Sequence, residues 1–347
     1  MPYSDIMGWD LGGAHLKAAH LDDGGKLRQV IQLPCPLWLG LDHLRQAVDG
    51  VMAAVPARIR YHAVTMTGEL VDLFDSRVQG VQRLASVMEE KLAPAELGFY
   101  AGCDGFLQPH AIASTAEKVS SSNWLASASF VAQCIPEALF VDIGSTTSDI
   151  VICKDGDVLA RGADDHQRLI SGELVYTGVV RTSLMAETEK IPFRGEWVSL
   201  MAEHFATMAD VYRVTGELPI HADQLPSADG GAKTLISSAR RLARMLGLDL
   251  DAAPMEDWAR LAGYLSELQL QRLMRACEFS LSRGLLGRNA LLLGAGVGRF
   301  LVAKLADRLQ RRYLDFSSLL DTGYLEVGDP ADCTPAVAVA KLARTRL

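Results

Sequence analysis

Residues 139–152 read LFVDIGSTTSDIVI: an apolar run closing on Asp142, then Gly144 with a cluster of small hydroxyl residues, then a second apolar run. Two runs of strand length joined by a short turn-forming segment predict a β-hairpin. The tip holds more than a turn requires. Gly144 leaves backbone N–H groups unobstructed, Ser145, Thr146 and Thr147 add hydroxyl donors, and Asp142 at the strand end suits a magnesium ion held against phosphate. A hairpin of this make-up suits a phosphate ligand.

The same pattern occurs once more. Residues 9–27, WDLGGAHLKAAHLDDGGKL, lie over residues 141–159, VDIGSTTSDIVICKDGDVL, without a gap at a constant offset of 132 (142 − 10). Asp10 falls on Asp142, Gly12 on Gly144, Asp23-Gly24 on Asp155-Gly156 and Leu27 on Leu159. Each copy predicts a three-stranded antiparallel meander with Asp-Gly turns. After each meander the periodicity turns helical and then alternates. Helices are expected over 41–55, 76–93 and 122–134, with strands over 61–68 and 97–102. In the second half a mainly helical stretch, 198–284, precedes a strand at 289–298, a helix at 299–310, a strand at 312–315 and a final helix at 333–345. A repeat at this distance points to two similar α/β lobes with a cleft between them, residues 1–136 and 137–347, the second carrying the helical insertion. Residues 217–233, ELPIHADQLPSADGGAK, are expected to form a long functional loop.

The chain has 347 residues, 49% hydrophobic and 22% charged, and a net charge of −8. That size suits two domains, and the charge argues against a general binder of nucleic acid or anionic membrane. The apolar runs are strand-sized, so no membrane span is expected, and no secretory signal is read at the N-terminus. The six cysteines form no CxxC pair, which predicts free thiols and a cytoplasmic protein, and the histidines show no metal-ligating spacing. A homodimer is left open.

A third glycine-rich segment, LLLGAGVGRFL (291–301), places Gly294 and Gly296 between a strand and a helix start, where an anion can sit. The order of Asp-loop, Asp-loop, glycine-rich turn and final Ala-rich helix resembles the acetate and sugar kinase, heat-shock chaperone ATPase and actin superfamily. The resemblance implies duplicated ribonuclease H-like lobes with the ligand in the central cleft. Four more stretches narrow it: TMTGELVDLFDSRVQGV (65–81), RLISGELVYTGVVRT (168–182), MADVYRVTGELP (208–219) and SADGGAKTLISSARRLARMLG (227–247). They resemble the hydantoinase/oxoprolinase-like proteins of tetrahydromethanopterin-linked one-carbon metabolism, in particular those of methanofuran and methylofuran biosynthesis.

That resemblance implies a transferase that couples a furan-methyl diphosphate to the phenol oxygen of γ-glutamyltyramine or tyramine and releases diphosphate, with Mg2+ as cofactor. Under it, Asp10 and Asp142 are the metal and catalytic carboxylates, and Gly12, Gly13, Lys17, Gly144, Ser145, Thr146, Thr147, Gly294 and Gly296 the phosphate cradle. Lys17 also fits a solvated strand lysine. Glu69 and Glu173 are the candidate general bases, each also readable, and more readily, as a glutamate favoured at a helix start. Tyr176, Thr177, Arg181, Asp229 and Lys233 are the candidate substrate contacts. Two other classes share the loops: an ATP-dependent small-molecule kinase and a nucleotide-binding regulatory protein.

Overall fold

The first strand, β1 (Ile6–Leu11), is buried along its whole length, as its unbroken IMGWDL sequence requires of a strand covered on both faces. In the computed structural model, which describes residues 5–55, 59–321 and 328–346, β1 pairs antiparallel with β2 (His15–Leu21), and β2 with β3 (Leu27–Pro34). The meander gives way to α1 (Asp42–Ala54), β4 (Tyr61–Met66), α2 (Arg77–Leu92), β5 (Glu96–Tyr100), β6 (Phe106–Leu107), α3 (Ile112–Val119) and α4 (Asn123–Cys134). β4 lies parallel to β1, and β5 parallel to β4. The sheet order is β3-β2-β1-β4-β5-β6, over a core that includes Trp9, Leu44, Val64, Met88 and Phe99.

The second half repeats this plan. It contains β7 (Glu137–Ile143), β8 (Ser148–Lys154), β9 (Asp157–Val158), α5 (Asp165–Ser171), β10 (Leu174–Val175), β11 (Lys190–Phe193), β12 (Glu196–Ser199), α6 (Met208–Thr215), α7 (Leu235–Met245), α8 (Met255–Leu281), β13 (Leu291–Ala295), α9 (Arg299–Arg308), β14 (Tyr313–Asp315) and α10 (Thr334–Arg344). Its main sheet runs β10-β8-β7-β13-β14, with β9 also on β8, and β11-β12 is a separate hairpin. Strand for strand this matches β3-β2-β1-β4-β5, so the ribonuclease H-like order is present twice.

By their contacts the residues group into two units: Met1–Ala138, Ile152–Leu159 and Leu314–Leu347 in one, Leu139–Val151 and Ala160–Tyr313 in the other. Helix α10 belongs with the first because its small-residue face lies against β1. A Cβ on Gly8 would stand 2.0 Å from the Ala336 carbonyl oxygen and 2.8 Å from the Ala340 Cβ. Only a glycine opposite a helix rich in alanine allows so close an approach. In the other unit α8 packs on α6 and α9, and Trp258 stacks on Phe193 with centroids 4.8 Å apart.

The meanders differ in two ways from the sequence expectation. In the second, Asp155 (φ 52°) and Gly156 (φ 89°) form the expected tight turn; in the first the left-handed residue is Gly25 (φ 80°), because the turn spans Asp22 to Lys26. The expected third strand of the second copy is split. β9 holds two residues, and β10 takes the far end of β8, where the Ile150 amide donates to the Glu173 carbonyl. The cause is Glu173, whose carboxylate accepts from the amides of Arg161 (2.7 and 3.0 Å) and Gly162 (3.0 Å). Those amides are thereby removed from any strand ladder. All six cysteines are free, and among the described residues no helix is long and apolar enough to cross a membrane.

Candidate active site

The hairpin at the end of β7 is closed by the Gly144 amide, which donates to the Thr147 carbonyl at 2.9 Å. The first hairpin closes identically, Gly12 to the His15 carbonyl at 3.0 Å, which confirms the alignment of the two loops at the level of single hydrogen bonds. The segment after β10 holds the second loop from behind. The amide of Val179 donates to the Gly144 carbonyl (3.1 Å), and those of Val180 and Arg181 to the Ser145 carbonyl (3.1 and 2.8 Å). In a planar trans peptide the N–H points opposite to the preceding C=O. Capture of these two carbonyls therefore turns the amides of Ser145 and Thr146 away from the supporting segment, and neither donates to any described residue. Outward amides flanked by the hydroxyls of Ser145, Thr146 and Thr147 are an arrangement that suits an anion. Arg181 reaches over it, its Nη1 3.4 Å from the Thr146 Oγ1.

Two glycines make this packing feasible. A Cβ on Gly178 would lie 2.4 Å from the Thr146 nitrogen and 2.5 Å from the Ser145 carbonyl carbon. Gly296 (φ 80°) presses on the end of β7, where a Cβ would lie 2.3 Å from the Ile143 carbonyl oxygen and 2.4 Å from Asp142 Oδ1. The Gly298 amide donates to the same Ile143 carbonyl at 2.8 Å. The glycine-rich turn thus lies beside the Asp142 carboxylate. Gly294 has a packing role, since a Cβ there would meet Tyr313 and Val302.

The remaining candidates of this unit divide sharply. Thr177 is fully buried, its hydroxyl donating to Glu187 and accepting from Gln269, so it serves the scaffold; Tyr176 is 60% exposed. Glu173 is 2% exposed and, besides the two amides of the 161–162 backbone, accepts from Ser171 Oγ (2.8 Å) and pairs with Arg283 (3.4 Å). Its oxygens hold protein groups in place. Asp229 and Lys233 are likewise engaged by protein groups, although Asp229 lies at the surface. Asp229 pairs with Arg241 (3.0 Å) and Arg244 (3.1 Å), and its pKa is held below the ordinary carboxylate value by the Gly231 amide and Arg241 against the opposing effect of burial. Lys233 donates to the Asp223 carbonyl (2.8 Å) and carboxylate (3.1 Å). Arg241, 1% exposed, also binds Asp210 at 2.8 Å. The long 217–233 loop is therefore fastened to α6 and α7 by ion pairs.

In the first unit Asp10, 3% exposed, is the cross-strand neighbour of Lys17 and the parallel neighbour of Thr65. The Leu37 amide donates to the Gly13 carbonyl at 3.1 Å, the counterpart of the capture of Ser145. The Cys333 thiol, pushed up to about 12 chiefly by burial, feels Lys17 together with Asp332, Asp10 and Asp329. Glu69 is 1% exposed; its Oε1 accepts from Ser120 Oγ (2.7 Å), the Ser121 amide (2.7 Å) and Ser121 Oγ (2.9 Å), while its buried Oε2 makes no hydrogen bond. Ser121 adopts φ 48°, a costly backbone for serine that these bonds hold in place. Thr65 meets Ser122, hydroxyl to hydroxyl, at 3.0 Å. The serine run 120–122, Gly178, Glu187 and Gln269 were not singled out from sequence. The run of three serines was a visible signal; the others carry none, since their partners are remote in the chain.

No group of three or more His, Cys, Asp or Glu among the described residues could hold a metal. Magnesium characteristically uses one or two carboxylates with phosphate oxygens and water. Single aspartates beside amide-lined hairpins fit an ion that arrives with a phosphorylated substrate, and do not fit a fully protein-ligated one.

The model of the hydantoinase/oxoprolinase family matches residues 60–319, well over half of the chain. The chain belongs to this family. A curated relative from Methanocaldococcus jannaschii, named (4-{4-[2-(gamma-L-glutamylamino)ethyl]phenoxymethyl}furan-2-yl)methanamine synthase, is 28% identical over 344 residues, covering 99% of this chain and 98% of that one. A protein of the same name from Methanococcus vannielii is 31% identical over 136 residues, 39% of this chain and 61% of that one. Among solved structures, nucleotide-free acetone carboxylase shares the fold with a TM-score of 0.53 at 10% identity, over 96% of this chain and 70% of that one. Family and fold thus agree with the resemblance read from the four stretches.

Proposed function

We propose that this hydantoinase/oxoprolinase family member is a transferase of methanofuran or methylofuran biosynthesis. It joins the methylene carbon of an aminomethylfuran-methyl diphosphate to the phenol oxygen of γ-glutamyltyramine. The aryl–alkyl C–O bond forms, the C–O bond to diphosphate breaks, diphosphate leaves with the electron pair, and the phenol gives up its proton. The observation that carries the reading is the end-to-end match to a synthase of that name, and neither the kinase nor the regulatory alternative has comparable support.

The geometry supplies a rationale for the diphosphate end. Outward amides of Ser145 and Thr146, the adjoining hydroxyls and Arg181 are placed to take charge that grows on the leaving group, and fixed dipoles of this kind need no reorganisation as the bond breaks. Asp142, at the end of β7 beside this hairpin, is the group that would hold Mg2+ there, and Asp10, at the end of β1, is its counterpart beside the first hairpin. The ion, when bound with the substrate, supplies further neutralisation of the diphosphate. Gly12 and Gly13 give the first hairpin the same open backbone. Of the two glutamates, Glu69 keeps an unused acceptor oxygen and is assigned as the base for the phenol, whose reference pKa is about 10; Glu173 is assigned to hold the 161–162 backbone.

The test incubates the protein with Mg2+, the furan-methyl diphosphate and either γ-glutamyltyramine or tyramine, and follows ether and diphosphate together. Equimolar ether and diphosphate is the expected result. Release of diphosphate without ether, or consumption of ATP with phosphorylation of an acceptor, would overturn the reading.

A further inference from the structure

Helix α8 brings one buried amide to the back of the 144–147 hairpin. Gln269 is completely buried, and a glutamine in that position must find partners for all of its polar atoms. Its Nε2 donates to Thr177 Oγ1 at 2.7 Å and to the Gly178 carbonyl at 3.0 Å, while its Oε1 accepts from the hydroxyl of Tyr212. The carbonyl can only accept, so the side-chain orientation is fixed by chemistry. The Thr177 hydroxyl donates its own proton to Glu187, whose side chain is 1% exposed and lies 3.4 Å from Arg272. Ser148 Oγ donates to the Thr177 carbonyl at 2.7 Å, and the Gly178 amide donates to Thr182 Oγ1 at 2.8 Å. Each polar group of the Thr177–Gly178 step that these bonds reach is thereby held, and the next three residues are those that capture the Gly144 and Ser145 carbonyls.

We propose that Gln269, backed by Glu187, is a positioning residue that sets the aim of the Ser145 and Thr146 amides. The chain of action runs from α8 through Thr177 and Gly178 to the amides of Val179–Arg181, and through the carbonyls they hold to the outward face of the hairpin. Diphosphate affinity is in this way set from a helix whose Gln269 is anchored on Tyr212 and acts through the supporting segment. The inference deepens the transferase reading and rests on it for the identity of the anion.

The test compares wild type with Gln269→Leu, Thr177→Val and Thr177→Ser. Three quantities are measured on protein shown folded by circular dichroism: affinity for inorganic diphosphate with Mg2+, KM for each of the two substrates, and hydrogen exchange of the Val179–Arg181 amides. Gln269→Leu and Thr177→Val are expected to weaken diphosphate at least tenfold and to raise KM for the diphosphate substrate, with KM for the phenol unchanged. Exchange at 179–181 should accelerate while that of the Gly12 hairpin amide stays constant. Thr177→Ser, which keeps the hydroxyl, should behave as wild type. A purely structural role would lower the melting temperature and leave both the affinity per folded molecule and the KM split unmoved; that result overturns the proposal. If Gln269→Leu does not fold, the Val and Ser pair at Thr177 decides. If wild type binds no diphosphate, the transferase reading falls, and exchange alone judges the positioning: acceleration confined to 179–181 supports it and none refutes it.

Discussion

Gly178→Ala asks whether the close approach behind the second hairpin matters. The added Cβ would stand 2.4 Å from the Thr146 nitrogen, 2.5 Å from the Ser145 carbonyl carbon and 2.7 Å from the Gly144 carbonyl oxygen, whereas ordinary contact begins at 3.4 Å. Relief requires the two segments to part by about 1 Å, and every obstructing atom is backbone. Tolerating the overlap costs about 1–3 kcal/mol. Parting instead loses three amide–carbonyl bonds of about 1 kcal/mol each. The two routes give similar sums, so a stability loss of about 2–3 kcal/mol is expected by denaturant titration. Function should suffer more. Displacement of a catalytic group by about 1 Å can reduce turnover about 100-fold, and freed carbonyls no longer fix the Ser145 and Thr146 amides. Calorimetric titration with diphosphate and Mg2+, together with kcat, measures this. Gly156→Ala is the control, because a Cβ there meets nothing within 4 Å and only the φ of 89° is strained; it should lose about 1 kcal/mol and bind diphosphate normally. Wild-type diphosphate affinity in Gly178→Ala would refute the claim that the captured carbonyls organise the site.

Asp10→Asn and Asp142→Asn should each cut turnover by at least about 100-fold, the size of losing one preorganised electrostatic contact, while the melting temperature changes little; full activity in both would remove the aspartates from the mechanism. Glu69→Gln should lower turnover and flatten its pH profile, whereas Glu173→Gln should instead cost about 1.5–3 kcal/mol of stability through its bonds to the 161–162 amides, and an exchange of these outcomes would reverse the two assignments. His62 is buried and accepts from Trp9 Nε1 at 3.0 Å through Nδ1, with its pKa lowered by burial to about 4. Between about pH 6.5 and pH 4 the unfolded chain binds a proton that the folded one does not, so stability falls as pH drops through that window, by up to about 3 kcal/mol. Denaturant midpoints against pH should show this slope in wild type and lose it in His62→Asn.

The repeat at an offset of 132 residues carried most of the fold, because a hairpin that must present its amides constrains every residue of the tip. The matched closures at Gly12 and Gly144 show that correspondence down to the donor and acceptor. What stayed illegible depended on remote partners. Nothing around Glu173 in sequence announces that its carboxylate will gather the amides of Arg161 and Gly162 and so end β9 early. The helix-start reading of Glu69 missed its serine partners more than fifty residues away. Asp229 and Lys233 have the chemistry of ligand contacts, but arginines on α7 and the Asp223 carboxylate claim them first. Gln269 reads as an ordinary helix glutamine until the fold brings Thr177 to it across 92 positions.

The seating of α10 against Gly8 has a consequence for biosynthesis. Strand β1 waits for helix α10, far later in the chain, and Lys341 must reach back to the Gly25 carbonyl. The residues of the second unit all emerge before α10, so the sheet of the first unit passes through synthesis with one face uncovered, an apolar surface of the kind that invites chaperones. Completion of that sheet thus waits on the emergence of α10, and a ribosome stalled ahead of it would hold a chain whose first unit is still open.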